Sequence, residues 1–199
     1  LRSQVIFFPA NSINIARLIP QTIYYFWGYS QLIRRREWSS LNGILPKKPI
    51  ICVPSGNLGN LTAGMIASKL GLPVKFLGAT NNNQALGYYL QGKELTQPNI
   101  TPTISNAMDV SIPNNWKRLS SLLTNLDYQL ESVAVTDDQT RHTIKEFFNL
   151  TQYPLDPHTS VGYTALFQKI TRKDNEIGIV IATAHPSKFP EVMESTIAL

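Results

Sequence analysis

The run Ser55-Gly-Asn-Leu-Gly-Asn60 contains the residue types that bind an anion through the backbone. Glycines allow a tight turn, and consecutive N–H groups at the start of a helix can point at a phosphate. The run follows the apolar stretch Ile50–Val53 and precedes a helical pattern that opens at Leu61. It matches neither G-x-G-x-x-G nor the G-K-[ST] ending of a triphosphate loop, so we expect a monophosphate ligand. The alternative is a tight turn that only packs the helix against its strand.

The elements that must position this loop alternate between helix and strand. Asn11 or Ser12 is predicted to cap a long helix, in which Pro20 marks a kink or the first turn. Apolar runs predict strands at Gln4–Phe8, Ile50–Val53, Val74–Ala79 and Ile177–Ala182. Further helices are predicted from about 61 to 70, from Trp116, from Asp137 or Asp138, after the polar turn 155–159, and from Pro186. This order predicts an α/β fold with a parallel sheet flanked by helices, in which ligands gather at the carboxyl ends of strands.

Composition excludes several classes of protein. The 199 residues are 43% hydrophobic and 16% charged with a formal charge of +5, which is typical of a globular protein. Basic and aromatic residues are not interleaved along one element, so no nucleic-acid partner is expected. No apolar stretch reaches the roughly 18 residues of a membrane span, and the histidines are too scattered for a metal site. The single cysteine, Cys52, excludes an intrachain disulfide and favours a reducing, cytoplasmic location.

Four separated motifs make the chain resemble one family. They are Asn11-Ser-Ile-Asn14 with Arg17, Ser55 to Gly64, Ser105 to Val110 with Pro113-Asn-Asn-Trp116, and Thr183 to Phe189. In order and approximate spacing they are similar to the threonine synthase family, in its bacterial and fungal branch. The resemblance runs from about Asn11 to Phe189. It implies an enzyme of the tryptophan-synthase-like fold type II, incomplete at its amino-terminal side, that uses pyridoxal 5′-phosphate.

The resemblance also implies a reaction and site residues. O-phospho-L-homoserine and water would be converted to L-threonine and phosphate, with the cofactor serving as an electron sink. The cofactor phosphate would bind at the loop residues Gly56, Asn57, Leu58, Gly59 and Asn60. Thr183 would face the pyridine nitrogen, although a threonine at a strand end can also bond to nearby backbone. The substrate phosphate would bind at Asn11, Ser12, Arg17 and Asn60, although Asn11 and Ser12 can equally be helix caps.

The alternation of helices and strands, and its break in the middle, divide the chain into three predicted parts. Residues 1–91 form a cofactor- and phosphate-binding α/β part, 92–115 an irregular excursion, and 116–199 a helical segment that returns to the cofactor domain. His158 and His185 are interpreted as turn or cap residues, and Asp109 receives no role. A homodimer is compatible with the family, and neither a membrane nor a metal is expected.

The family's Schiff-base lysine lies in a segment resembling F-K-D, which this chain does not contain. Because the sequence opens at Leu1 almost directly on a predicted core strand, we expect that lysine upstream and expect the chain not to catalyse alone. Two other hypotheses stay open: a non-catalytic, phosphate-binding module of the same fold, and a phospho-amino-acid lyase. An F-K-D-like segment upstream would support the enzyme, whereas an initiator near Leu1 would support the module.

Overall fold

A computed structural model of the chain describes residues 11–34, 48–93, 99–123, 130–170 and 176–198. Its strands are β1 (Ile50–Pro54), β2 (Lys75–Thr80), β3 (Leu130–Ala134) and β4 (Gly178–Val180). Its helices are α1 (Ile15–Arg34), α2 (Gly59–Lys69), α3 (Ala85–Leu90), α4 (Trp116–Leu123), α5 (Asp137–Thr151), α6 (Pro157–Lys169) and α7 (Pro190–Ile197). Short 3-10 turns cover Asn106–Met108 and Pro186–Lys188.

The four strands form one parallel sheet in the order β3-β2-β1-β4. Ile51 lies opposite Phe76 of β2 on one side and Ile179 of β4 on the other. Ile51, Cys52 and Val53 are fully buried because helices cover both faces of this central strand. The predicted α/β class and the parallel sheet are therefore confirmed.

Helix α1 packs on α2 through the Tyr25 side chain, which lies close to the backbone of Gly64. Leu18 and Tyr25 are the buried residues of α1, and the Tyr25 ring lies edge-on to Phe76 at a centroid distance of 5.8 Å. A Cβ atom on Gly64 of α2 would lie 2.6 Å from both of these rings. Gly64 is thus the position where α2 must be thin enough to admit the Tyr25 side chain.

Several predicted boundaries are wrong or incomplete. Helix α1 begins at Ile15, and the Asn14 side chain accepts from the N–H of Ala16, so neither Asn11 nor Ser12 is its cap. The strand predicted at Ile177–Ala182 is limited to three residues, and Pro186 opens a 3-10 turn while Pro190 starts α7. The predicted strand Gln4–Phe8 lies outside the described residues.

Strand β3 was not predicted. Its sequence Leu-Glu-Ser-Val-Ala carries polar residues, and no residue of the strand is fully buried because it forms the edge of the sheet. The segment 116–199 therefore adds two strands to the sheet, of which only β4 was expected. Among the helices of the described ranges, none is long and apolar enough to cross a membrane.

Candidate functional site

A cavity of about 620 Å³ lies where β1 and β4 end. Its walls are formed by the start of α1, the loop before α2, the turn at Ala107 and Met108, and the segment that follows β4. Of the residues predicted from sequence, it brings together Ser12, Arg17, Thr183 and all five loop residues from Gly56 to Asn60. Asn11 is exposed and does not line it. Parallel strands that end at one edge explain why segments far apart in sequence meet here.

The loop before α2 presents a row of backbone donors. Leu58 adopts a left-handed conformation with φ 61°, and the first helical bond runs from the N–H of Thr62 to the Leu58 carbonyl. Within the described part of the chain, the N–H groups of residues 56 to 61 have no protein acceptor. They lie at the positive end of an eleven-residue helix, so the loop is equipped to bind an anion.

Both loop glycines are required by close approach of other segments. A Cβ atom on Gly56 would lie 2.7 Å from the Cα of Met108 and 3.0 Å from the Ala107 carbonyl oxygen. A Cβ atom on Gly59 would lie 2.8 Å from the Cβ of Ser12. The loop is therefore held between the turn at 106–108 and the segment that leads into α1.

Asn57 connects the loop to two other segments. Its Nδ2 donates to Ser12 Oγ at 2.7 Å, and its Oδ1 accepts from the N–H of Asn114 at 2.6 Å. Its carbonyl accepts from Nδ2 of Asn115 at 3.0 Å. Because the side chain is occupied by these partners, Asn57 is left to serve a ligand through its N–H. The Pro113–Trp116 motif thereby gains a structural role that the sequence did not reveal.

Asn60 is fixed by a buried tyrosine. The Tyr25 hydroxyl donates to the Asn60 carbonyl at 2.7 Å and to its Oδ1 at 2.5 Å. Burial raises the pKa of Tyr25 well above its ordinary value, so the hydroxyl keeps its proton and stays a donor. With Oδ1 engaged, the amide nitrogen of Asn60 is the part of the side chain that can serve an anion.

Asp109 holds the turn that packs on Gly56. Its Oδ1 accepts from Asn81 Nδ2 at 2.8 Å, Asn83 Nδ2 at 3.0 Å and Thr103 Oγ1 at 2.7 Å. Its Oδ2 accepts from the N–H of Thr103 at 3.0 Å. The carboxylate thus ties the excursion to the end of β2, and the neighbouring Met108 reaches the cavity wall. The run Asn81-Asn-Asn83 was the available sequence signal for this contact. Its partner, Asp109, lies 26 or more residues further along the chain.

The wall also contains residues that sequence reasoning did not assign to it, including Met108, His158, Lys188 and Phe189. His158 is buried at the start of α6, where Asp156 caps the helix by accepting from the N–H groups of residues 158 and 159. Burial raises the pKa of Asp156, but hydrogen bonds from His158 and Thr159 outweigh it and lower that pKa overall. Nδ1 of His158 lies 3.3 Å from Oδ1 of Asp156, and this proximity of the imidazole contributes to the lowered pKa of Asp156.

Within the described residues, the remaining polar side chains form no metal centre. His185 Nδ1 accepts from the N–H of Ser187 and so caps the 3-10 turn at Pro186–Lys188. In the described ranges, no three side chains of His, Cys, Asp or Glu come together as a metal site would need. The described cavity lining combines apolar side chains with backbone donors, amides, hydroxyls, the His158 imidazole and two cationic side chains, Arg17 and Lys188.

Comparison with known proteins agrees with this arrangement. No protein-family model matches the chain. Among curated proteins it is 39% identical to the threonine synthase of Buchnera aphidicola from Schizaphis graminum, over 93% of this chain and 41% of the relative. It is 40% identical to the threonine synthase of Escherichia coli, over 94% of this chain and 42% of the relative. It is 32% identical to that of Saccharomyces cerevisiae, over 94% of this chain and 44% of the relative.

Solved structures show the same relationship. The Escherichia coli threonine synthase superposes with a TM-score of 0.78 at 39% identity, over 94% of this chain and 42% of that one. A pyridoxal-phosphate-bound threonine synthase from Brucella melitensis has the same TM-score at 27% identity, with coverages of 95% and 44%. A threonine deaminase from Solanum lycopersicum shares the fold alone. Its sequence identity is 15% and its TM-score is 0.64, over 98% of this chain and 53% of that one.

The architecture is that of fold-type II pyridoxal-phosphate enzymes, the group that contains threonine synthases, threonine deaminases and serine racemases. Within that group, the chain is similar to threonine synthases in both sequence and fold. It spans about two fifths of the length of the curated relatives that it matches.

Proposed function

We propose that the chain is part of a threonine synthase that converts O-phospho-L-homoserine and water to L-threonine and phosphate with pyridoxal 5′-phosphate. The observation that carries this proposal is one cavity lined both by the backbone donors of the loop 56–61 and by Thr183, the residue predicted to face the pyridine nitrogen. Sequence identities near 40% to threonine synthases support the same function.

The residues present suit the cofactor. The N–H groups from Gly56 to Leu61, which have no acceptor among the described residues, would hold its phosphate at the start of α2. Thr183 follows β4 and would offer its hydroxyl to the pyridine nitrogen. When bound, the cofactor supplies an electron sink for the carbanions of the reaction. The chain's own contribution is to bind and orient it.

A second anion can be placed beside the first. Ser12 and Arg17 line the same cavity from the start of α1, and Ser12 lies against the loop through Asn57. A guanidinium binds phosphate with two parallel hydrogen bonds, which suits the phosphate of the substrate. Asn60 would serve both anions through its amide nitrogen, because Tyr25 occupies its oxygen. Asn11 is exposed and does not line the cavity, so the geometry does not support its predicted role in binding the substrate phosphate.

The reaction also needs a lysine that binds the cofactor covalently and moves protons. Lys188 is the lysine on the described wall of the cavity, and it lies in an exposed 3-10 turn. It does not occur in a segment resembling that of the family's lysine. We therefore assign the covalent lysine to the part of a threonine synthase that this chain does not match. We also propose that the enzyme is cytoplasmic and forms a homodimer.

The test compares two ligands that differ by one group. Titration calorimetry of the chain with pyridoxal 5′-phosphate should show saturable binding, and pyridoxal without its phosphate should bind at least about tenfold more weakly, a difference of 1.4 kcal/mol. Equal binding of the two ligands would refute the phosphate site. In the complete enzyme, release of phosphate together with L-threonine separates the synthase from a lyase, and cofactor binding without turnover would identify a binding module.

A matched pair of variants tests the second anion site. Replacing Arg17 with Ala in the complete enzyme should raise the KM for O-phospho-L-homoserine about 10- to 150-fold, from the loss of about 1.5–3 kcal/mol of charged hydrogen bonding. Cofactor absorbance should not change. Arg141 provides the control, because its guanidinium donates to Ser195 and Thr196, away from this cavity. An unaltered KM in Arg17→Ala would remove Arg17 from the site.

A further inference from the structure

The first turn of α6 places a buried imidazole at the wall of the cavity. His158 follows Pro157, the first residue of the helix, and it is only 3% exposed. It lines the same cavity as the loop 56–60 and Thr183. The Phe189 ring packs beside it at a centroid distance of 4.9 Å. The imidazole is therefore almost fully removed from bulk solvent at a place where a ligand of the cavity would lie.

The two ring nitrogens of His158 have different surroundings. Nδ1 lies 3.3 Å from Oδ1 of Asp156. Asp156 is itself fixed, because its carboxylate accepts from the N–H groups of His158 and Thr159 and from the Thr159 hydroxyl. A carboxylate beside one ring nitrogen favours the proton on that nitrogen, so the neutral ring carries its lone pair on Nε2.

Nε2 is buried and has no hydrogen-bond partner among the described residues. A buried polar atom without a partner destabilises the folded protein, so its presence at a cavity points to a ligand that completes it. The loop N–H groups, Arg17 and Lys188 can only donate hydrogen bonds, which suits phosphate. An acceptor nitrogen on the same wall suits a different part of a ligand, namely a group that carries a proton.

We propose that His158 is a ligand-binding residue of this cavity, whose Nε2 accepts a hydrogen bond from a hydroxyl or ammonium group, while Asp156 positions the ring. This role rests on the proposed function, in which the cavity takes pyridoxal 5′-phosphate and an amino acid. The cofactor offers a phenolic hydroxyl, and the amino acid offers an ammonium group. The polar turn 155–159, interpreted from the sequence as structural, then contributes directly to ligand binding.

Nitrogen-15 NMR of the complete enzyme, labelled at the histidine rings, detects this contact. The ring signals that disappear in His158→Asn identify Nδ1 and Nε2 of His158. Pyridoxal 5′-phosphate is added first, and L-threonine second. One of the two additions should move the Nε2 signal to lower chemical shift, as a lone pair that accepts a hydrogen bond does. The addition that moves it tells whether the cofactor or the amino acid supplies the donor, and no shift at either addition would overturn the inference.

Two substitutions separate the roles of the two nitrogens. Asparagine at position 158 keeps an amide nitrogen at the δ position, where it can meet Asp156, but has no polar atom at the ε position. Glutamine has its amide at the ε position and none at the δ position. Whichever of pyridoxal 5′-phosphate and L-threonine moves the signal should bind about tenfold more weakly to His158→Asn, and within about threefold of normal to His158→Gln. The melting temperature of His158→Asn should change little. A purely structural role would give the reverse, with normal binding in His158→Asn and a lower melting temperature in His158→Gln, and that result would overturn the inference.

Ser160 provides a matched control in the same helix. Its hydroxyl is buried and has no partner in the described part of the chain, as is true of Nε2, but Ser160 does not line the cavity. Ser160→Ala should therefore bind both ligands normally. A loss of affinity equal to that of His158→Asn would show that any change in the first turns of α6 disturbs the cavity, and it would count against a direct contact.

Failure of this inference is distinguishable from failure of the proposed function. Cofactor binding with a Nε2 signal that neither ligand moves would remove His158 from the ligand contacts and leave the function standing. Absence of cofactor binding by the unsubstituted complete enzyme would refute the proposed function and this inference with it.

Discussion

Replacing Gly56 with Ala should damage the loop through a contact with backbone atoms. The added Cβ would lie 2.7 Å from the Cα of Met108 and 3.0 Å from the Ala107 carbonyl oxygen, so no side chain can rotate away to make room. The turn at 106–108 is held by the hydrogen bonds of Asp109, and the loop is held by those of Asn57. Either segment must shift from its position.

The expected cost follows from overpacking. Inserting one methyl group into a close-packed site costs about 1–3 kcal/mol. Part of this cost appears as lost stability, about 2–4 °C in melting temperature per kcal/mol for a chain of this size. The rest appears as lost affinity, because a loop that has relaxed must return to its strained position to bind a phosphate, and about 1.4 kcal/mol is a factor of ten. The sum of the two losses should be about 1–3 kcal/mol.

The assay is thermal unfolding with and without pyridoxal 5′-phosphate, together with calorimetric titration. Gly87→Ala is the control, since its Cβ would meet nothing closer than Ser132 Oγ at 3.8 Å, and alanine is the better helix former. Gly87→Ala should leave binding unchanged and should not lower the melting temperature. A Gly56→Ala variant that melts and binds like the unsubstituted protein would refute the predicted overpacking.

Three other predictions concern single side chains. Asp109→Asn places an NH₂ group or a weaker acceptor among three donors, so unfolding in urea should show a loss of about 1.5–3 kcal/mol; an unchanged midpoint would contradict this role. Thr183→Val removes the hydroxyl proposed for the pyridine nitrogen and should shift the absorbance of the bound cofactor, whereas an identical spectrum would exclude the contact. Burial raises the pKa of Cys52 to about 12, so the folded protein should resist iodoacetamide at pH 8 and react only when unfolded. Because the unfolded thiol ionises near pH 9, this residue should make stability fall between about pH 9 and about pH 12.

The sequence predicted the centre of the fold better than its edges. The strand Ile50–Val53 and the loop after it were recognisable because a strand buried on both faces is continuously apolar and is followed by glycines. Strand β3 escaped because an edge strand needs no such run, and Glu131 and Ser132 interrupt its pattern. The spacing in α1 predicted a helix correctly, but periodicity does not tell which apolar residues find a partner, and Ile23 is exposed where Leu18 is buried.

The candidate site, like the fold, could be predicted from the sequence only in part. Local signals identified the loop, the family resemblance indicated Arg17 and Thr183, and the structure places them on one cavity. What they bind stays a prediction. The contact between Ser12 and Asn57 spans 45 residues of sequence, and that between Asn57 and Asn114 spans 57, so neither follows from local patterns.

These long-range contacts indicate that the loop is shaped by the protein before any ligand arrives. Ser12 packs closely on Gly59, and Met108 packs closely on Gly56. The Asn114 N–H donates to the Asn57 side chain. Donors held in this way lose little conformational freedom on binding, which increases affinity without adding a contact. Substitutions in residues 99–115, the part of the excursion that the structure describes, should therefore weaken phosphate binding even where the residue touches no ligand. The excursion therefore shapes the proposed anion site, a role that its residue pattern did not reveal.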